Sequence, residues 1–552
     1  MGRLRSVDLL LKIKILYYTL RHLKFEQLLF RFYRHFTRTR FRDFYGFERR
    51  ALPGNFIEPI GRPKTISGRT ISFLNETAYL SQSIWDETDR SELWIYNLHY
   101  FDDLNNADTR MRFETHSQLV NDWLQNYQFH PNRLGWHPYP VSKRIVNWIK
   151  WDLQFSALSQ EALDSLASQA NFLSHQLEKD LMANHLFVNG KALIFAGLYL
   201  EGLAAESWLK IGISIVKEQL DEQVLRDGGQ FERSPMYHAE CVEDILDLIN
   251  ILRCYKRSLL THDLETRVLE MLKWSQVMSH PDDRISFFND VAFDVAASSE
   301  GVFAYARRLG FDPPREWNGP HYLEESGYCR LENERSVLIC DVAPVGPSYQ
   351  AGHAHADTLS FELSVDEFRV FVNSGVSEYG VTPERLRQRG TAAHNTVEVN
   401  NTNSSEVWSG FRLARRAFPF DISVQIDNPL HQTVTASHDG YKRLKGKPVH
   451  TRKWTLTEEV LLIEDNIDGN FSSALSHLHL HPDVTAELSN NCVKIFIPNG
   501  QILELTVSGG LARLEQSTWH PEFGKVIPSQ KITINMHTAT LVTTLQFNRL
   551  HS

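Results

Sequence analysis

The sequence predicts an α+β protein of two stacked domains, a helical one followed by one built of antiparallel strands. Three observations carry this. A length of 552 residues exceeds what one ordinary core organises, so two or three domains are expected. From about Phe113 to Leu309 apolar residues recur at helical spacing, and from about Tyr328 onward they alternate at strand spacing. The two textures succeed one another without interleaving, which excludes βαβ units. The boundary falls near residue 325, giving a helical domain over 1–325 and a strand domain over 326–552.

Taken in order, residues 1–60 read as a basic N-terminal helical extension, with Arg3, Arg5, Lys12, Lys14, Arg21, Lys24, Arg31 and Arg34 set among aliphatic and aromatic side chains. The apolar run Leu9–Leu20 is broken by Lys12 and Lys14 and lacks a small-residue cleavage site. It fits neither a signal peptide nor a membrane span. Helices packed on the protein body are the first reading, and a basic amphipathic helix on a membrane surface is the alternative. Further on, Leu193, Ala196, Gly197, Leu200 and Leu203 keep helical register. So do Val242, Ile245, Leu246, Ile249 and Leu252, behind a cap and first position at Ser234-Pro235. In the second half, Leu359–Val365 alternates as a half-buried strand, Asp366-Glu367 turns, and Phe368–Val372 returns. Other strand runs lie at Lys453–Asp465, Cys492–Ile497, Ile502–Val507 and Thr538–Phe547.

Composition narrows the function. Hydrophobic residues at 42% and charged ones at 23% exclude disorder. A net charge of −9 excludes a general polyanion-binding surface and gives no reason to expect nucleic acid, so a grip on any acidic polymer needs a local basic cleft. Cys241, Cys254, Cys329, Cys340 and Cys492 are odd in number and show no metal-ligand spacing; buried thiols are expected.

Chemistry concentrates in four segments. Asn184-His185 opens a helix, as an N-cap with a surface neighbour or as a polar pair in a site. Gly228–His238 ends in a loop that lands Tyr237 on the first turn of the next helix, as a packing residue or a reactive phenol. In Gly352-His353-Ala354-His355-Ala356-Asp357 three titratable groups fall within five residues, which packing explains poorly, and the two histidines share one side of extended chain. Arg385, Arg387 and Arg389 precede Thr391–Thr396, and form either a solvated basic loop or guanidinium groups that hold carboxylates. Trp136-His137-Pro138-Tyr139-Pro140, with Arg144, reads either as a sugar-contacting segment or as helix-packing aromatics.

Together they suit β-elimination on a uronate glycan: removal of the C5 proton and expulsion of the C4 oxygen. That step needs a carboxylate neutraliser, a base and an acid. Asn and His donate to a carboxylate, His sits near working pH, and a Tyr whose pKa nearby cations lower can serve as base and then acid.

The segments Trp94–Asp102, Asn184-His185 with Gly190-Lys191-Ala192-Leu193, Ser234–His238, Gly352–Asp357 and His394-Asn395-Thr396 occur in the order of a known family. The sequence resembles the heparinase II/III-like polysaccharide lyases, relatives of the oligoalginate lyases, over nearly its whole length. The resemblance implies an N-terminal incomplete (α/α) toroid, a C-terminal antiparallel β-sandwich and a cleft between them. It implies Asn184 and His185 as carboxylate neutralisers, Tyr237 as acid/base and His353 as second base or charge stabiliser. Arg387, Arg389, Trp136, His137 and Arg144 are the expected substrate contacts. Some relatives hold a structural zinc, here at His355, Asn373 and His394, where Asn373 departs from the usual aspartate. An acidic polysaccharide is the implied substrate, in a cytoplasmic or membrane-peripheral protein of surface-polysaccharide production. Rival readings are a uronate C5-epimerase, a glycoside hydrolase drawing on Glu232, Glu240 or Asp290, and a non-catalytic glycan-binding protein.

Overall fold

The computed structural model describes residues 12–36, 41–81, 83–87, 89–258, 260–312 and 319–547. Arg3, Arg5 and the start of the Leu9–Leu20 run lie outside them, as does the side chain of Arg34. Eleven helices of the first half are α1 (12–20), α2 (Phe25–Phe36), α3 (Glu92–Tyr100), α4 (Phe113–Asn126), α5 (Pro138–Phe155), α6 (Gln160–His175), α7 (Ala183–Tyr199), α8 (Leu203–Gln223), α9 (Pro235–Cys254), α10 (Thr261–Val277) and α11 (Ser299–Arg308). Helices α3, α5, α7, α9 and α11 pack side by side in that order, while α4, α6 and α8 line up behind them. This two-layered, incomplete ring is the expected toroid. Its core holds Trp94, Trp123, Trp148 and Trp151 without solvent exposure, so much of the tryptophan content is packing.

Several boundaries differ from the sequence reading. Residues 41–60 form no helix, and a three-stranded sheet spanning Ile66–Tyr79 follows them. Leu203 belongs to α8 rather than α7, because Gly202 at φ +107° breaks the chain between them. Ser234 caps α9 as expected, its hydroxyl accepting the Tyr237 amide at 3.3 Å.

From His321 onward the chain forms antiparallel sheets of five, eight and four strands. The five-stranded sheet ends on Ser336–Asp341, Phe361–Val365 and Phe368–Phe371. Phe361–Val365 is buried on both faces, not one. Glu362 accepts from His280 at 3.0 Å and from the amides of Phe287 and Asn373, and Ser364 meets His280 at 2.8 Å. The segment after α10 therefore covers the face expected to meet water. The run Lys453–Asp465 is a hairpin, Val449–Leu456 paired with Val460–Asp468. No helix among the described residues is long and apolar enough to cross a membrane.

Candidate functional site

The inner helices α5, α7 and α9 turn their first turns toward one end of the ring. Tyr139 on α5 meets His185 on α7 at 4.7 Å, and Met182 and Ala183 at the start of α7 pack with Phe231 just ahead of α9. The first turns of α5, α7 and α9 therefore converge on one place with their positive dipole ends, a setting that favours an anion. The backbone is forced there: Met182, Ala183, Arg233 and Asn289 all hold positive φ without being glycine. Such conformations persist where surrounding contacts over-determine them, and here they flank Asn184, Tyr237 and Asp290.

The loop Gly352–Asp357 descends from the strand half onto this end. Tyr237 and His353 stack with ring centroids 4.0 Å apart and planes 16° from parallel. His353 Nδ1–H donates to the Glu232 carboxylate at 2.6 Å, which leaves Nε2 with its lone pair. The Tyr237 hydroxyl shares a 2.7 Å hydrogen bond with that of Tyr379, and Phe411 closes over Tyr379 and His353. The buried Oδ1 of Asn184 has no hydrogen-bond partner among the described residues. His185 Nδ1–H donates to Glu178 at 3.0 Å; burial pulls its pKa down, but Glu178, with Glu232 and Asp180 adding to it, more than reverses this and the pKa is raised. The four expected catalytic residues thus lie on the elements that meet at this end of the ring.

One electrostatic expectation is corrected. Burial, with Tyr379 and Asp290 beside it, pushes the Tyr237 phenol well above its ordinary value rather than below. The guanidinium groups expected to lower it serve elsewhere. Arg385, on the short helix α12 (Pro383–Gln388), clamps Asp290 with both terminal nitrogens, Nη2 to Oδ2 at 2.7 Å. Burial works against the Asp290 carboxylate, but Arg385 and His355 hold it ionised far below the usual range. The Tyr237 phenol is thus held in its protonated form.

The substrate contacts expected from sequence are largely corrected. Arg389 is fully buried and donates to the carbonyls of Ala351, Ala354, Ser409 and Gly410, bracing the histidine loop from behind. Arg387 is half-exposed and locked on Glu384 at 2.8 and 2.6 Å. Arg144 is buried between Trp123 and Trp136, bound to Gln169 and to the Gly135 carbonyl. Trp136 is itself core, beside Phe41, Phe129 and Phe172. His137 is accessible: its Nδ1 meets the Tyr96 hydroxyl at 2.6 Å, opening a file of rings through Tyr100 and Tyr139 to His185.

The expected metal ligands fit a structural zinc poorly. His355 Nδ1 and His394 Nε2 are 3.2 Å apart, but the remaining donor is the neutral amide of Asn373, whose oxygen accepts the Asn395 amide at 3.1 Å. No group of three His, Cys, Asp or Glu suited to a metal occurs among the described residues. Without an ion the pair is already directional: His355 Nε2–H donates to Asp290 at 2.7 Å, so His394 Nε2–H donates to His355 Nδ1.

Sequence reasoning missed Tyr379, which sits in a loop without a motif, and misjudged Glu232, weighed only as a hydrolase carboxylate. Glu232 holds His353 and Asp290 is wrapped by Arg385, so neither is free to flank a glycosidic bond. Asp290→Asn should be severe, because it strands the Arg385 guanidinium in the interior. A loss of about 3–5 kcal/mol is expected, read as a lowered urea midpoint; an unchanged midpoint would mean the clamp carries no stability.

Comparison with known proteins agrees with this layout. The sequence models described as "Heparinase II/III N-terminus" and "Heparinase II/III-like, C-terminal" match residues 78–307 and 317–548. A heparin-sulfate lyase of Bacteroides stercoris is 26% identical over 310 residues, covering 51% of this chain and 46% of that one. The chain thus spans about half the length of the curated relatives it matches. Among solved structures, heparinase III superposes with a TM-score of 0.67 at 17% identity, covering 84% of this chain and 79% of that one. A chondroitin AC lyase of Streptomyces coelicolor does so at 0.52 and 8%, covering 83% and 75%. At these identities the structural likeness speaks to fold.

Proposed function

The chain belongs to the heparinase II/III family, and on that premise we propose that it is a polysaccharide lyase that cuts a uronate-containing glycosaminoglycan or related acidic glycan by β-elimination. The observation that carries the reading is the stack of Tyr237 on His353 with Glu232 fixing the imidazole tautomer. Asn184 and His185, at the start of α7, receive the uronate carboxylate, which makes the C5 proton removable. His353 Nε2 takes that proton. The C5–H electrons form the C4=C5 double bond as the C4–O bond breaks, and Tyr237 protonates the departing oxygen. Tyr379 lies within hydrogen-bond reach to share the phenolic proton. No step passes through a metal.

Elimination leaves an unsaturated uronate that absorbs in the near ultraviolet. Incubation with heparosan, heparan sulfate, hyaluronan, alginate and polyglucuronate is expected to raise that absorbance with one of them. If none responds while solvent deuterium enters C5 of an intact chain, the protein is an epimerase and the lyase reading is lost.

A further inference from the structure

Helices α1 and α2 are mounted with their apolar stripes outward. On α1, Ile13, Leu16, Tyr17 and Leu20 form one helical face, and all are exposed. On α2, Phe25, Leu28 and Leu29 do the same, with Phe25 77% exposed, while the polar Gln27 is 1% exposed on the inner side. A helix packed on a protein body has the reverse arrangement. The helices lie on the body of the protein, the first reading of this segment, but not by their apolar faces. The inner side is held by polar contacts. Thr19 Oγ1 accepts from Trp408 Nε1 at 3.1 Å, Arg415 lies over Tyr18, and Lys24 lies over Tyr349 and pairs with Glu222.

The geometry points to an anionic lipid surface as the partner of this face. Between Leu9 and Arg42 there are nine basic residues and one acidic residue, Glu26, in a chain whose net charge is −9. Exposed Lys12, Lys14 and Arg21 edge the apolar stripe. Basic residues around exposed aliphatic and aromatic side chains suit the boundary between lipid headgroups and acyl chains. A second copy of the chain would bring like charges together, and an acidic glycan offers nothing to bury Leu16 or Phe25.

The same contacts tie docking to the cleft. Trp408, which holds Thr19, lies on the hairpin whose Phe411 covers Tyr379 and His353, and Tyr349, under Lys24, packs on Phe231 next to Glu232. Docking therefore engages elements that also cover the cleft. Docking itself does not depend on the lyase reading.

The test uses the full chain and co-sedimentation with vesicles of phosphatidylcholine containing about one third phosphatidylglycerol, beside phosphatidylcholine alone. Binding to the anionic vesicles is expected, weakening as salt rises. The double variant Leu16→Glu/Phe25→Glu, changed at exposed positions, should bind at least about tenfold more weakly. Its far-ultraviolet circular dichroism and melting should match the parent. The inference is overturned if the parent stays in the supernatant, if the variant binds equally well, or if the parent is a dimer that the variant dissociates. Vesicle binding is read without turnover, so failure of the lyase reading would leave this result standing.

Discussion

Tyr237→Phe is expected to remove turnover by a factor of about 10³ or more while leaving glycan affinity within a few-fold of the parent. The ring stays stacked on His353 and only the hydroxyl is lost, so the change acts on the proton delivered to the leaving oxygen. The raised phenol pKa makes the alternative role, a tyrosinate base, costly, since burial and the neighbouring Asp290 both oppose the anion. With proton abstraction proposed for His353, Glu232→Gln has a distinct signature. Without the carboxylate to hold Nδ1–H, the imidazole can adopt the other tautomer. The kcat should then fall by about tenfold or more, with substrate affinity little changed. Full activity of Tyr237→Phe under conditions where the parent yields unsaturated product would remove the phenol from the mechanism.

What the sequence made legible follows from where the information is local. The capping of α9 by Ser234-Pro235 and the alternation of the late strands are properties of neighbouring residues, and both are found. Tyr237, His353 and Asn184 could be singled out because each sits in a dense run of polar groups beside glycine or a helix start. Tyr379 could not, because its role comes from a fold that carries the Ser377–Gly380 loop to α9, 142 positions away in sequence. The arginines failed for a different reason. A guanidinium that grips a substrate carboxylate and one that grips backbone carbonyls look alike in sequence, and Arg389 and Arg144 are of the second kind. The N-terminal helices lie on the body as their sequence suggests, but α1 and α2 break the usual rule that apolar faces turn inward, which no local pattern announces.

The stability of the protein is expected to fall steeply below pH 6.5, for a reason visible in its buried histidines. His99 Nδ1 accepts from the Trp123 indole N–H at 3.2 Å and its Nε2–H donates to the Trp85 carbonyl. His238 Nδ1 accepts the Gln230 amide and its Nε2–H donates to the Met271 carbonyl. His438 Nδ1 accepts the Gly440 amide, and its Nε2–H donates to His450, whose own Nε2–H is held by Asp465. In each ring the accepting nitrogen faces an N–H that cannot reverse its role, so a second proton sets donor against donor. Burial comes first among the causes that depress all three, and His238 is taken down to about 3. The unfolded chain takes up these protons near pH 6.5 and the folded chain does not. The stability they contribute is therefore fully present above that pH and is lost as pH falls from 6.5 toward the folded values. His238 alone gives a slope of about 1.4 kcal/mol per pH unit below 6.5 and a loss of about 2 kcal/mol by pH 5, and His99 and His438 add to it in the same direction. Urea midpoints measured from pH 8 down to pH 5 should hold level and then drop. His238→Gln can keep an acceptor toward Gln230 and a donor toward Met271 without titrating, and should flatten the slope by about 1.4 kcal/mol per pH unit. A midpoint that stays level to pH 5 would mean that these rings accept a second proton in the folded state, against the donor geometry around them.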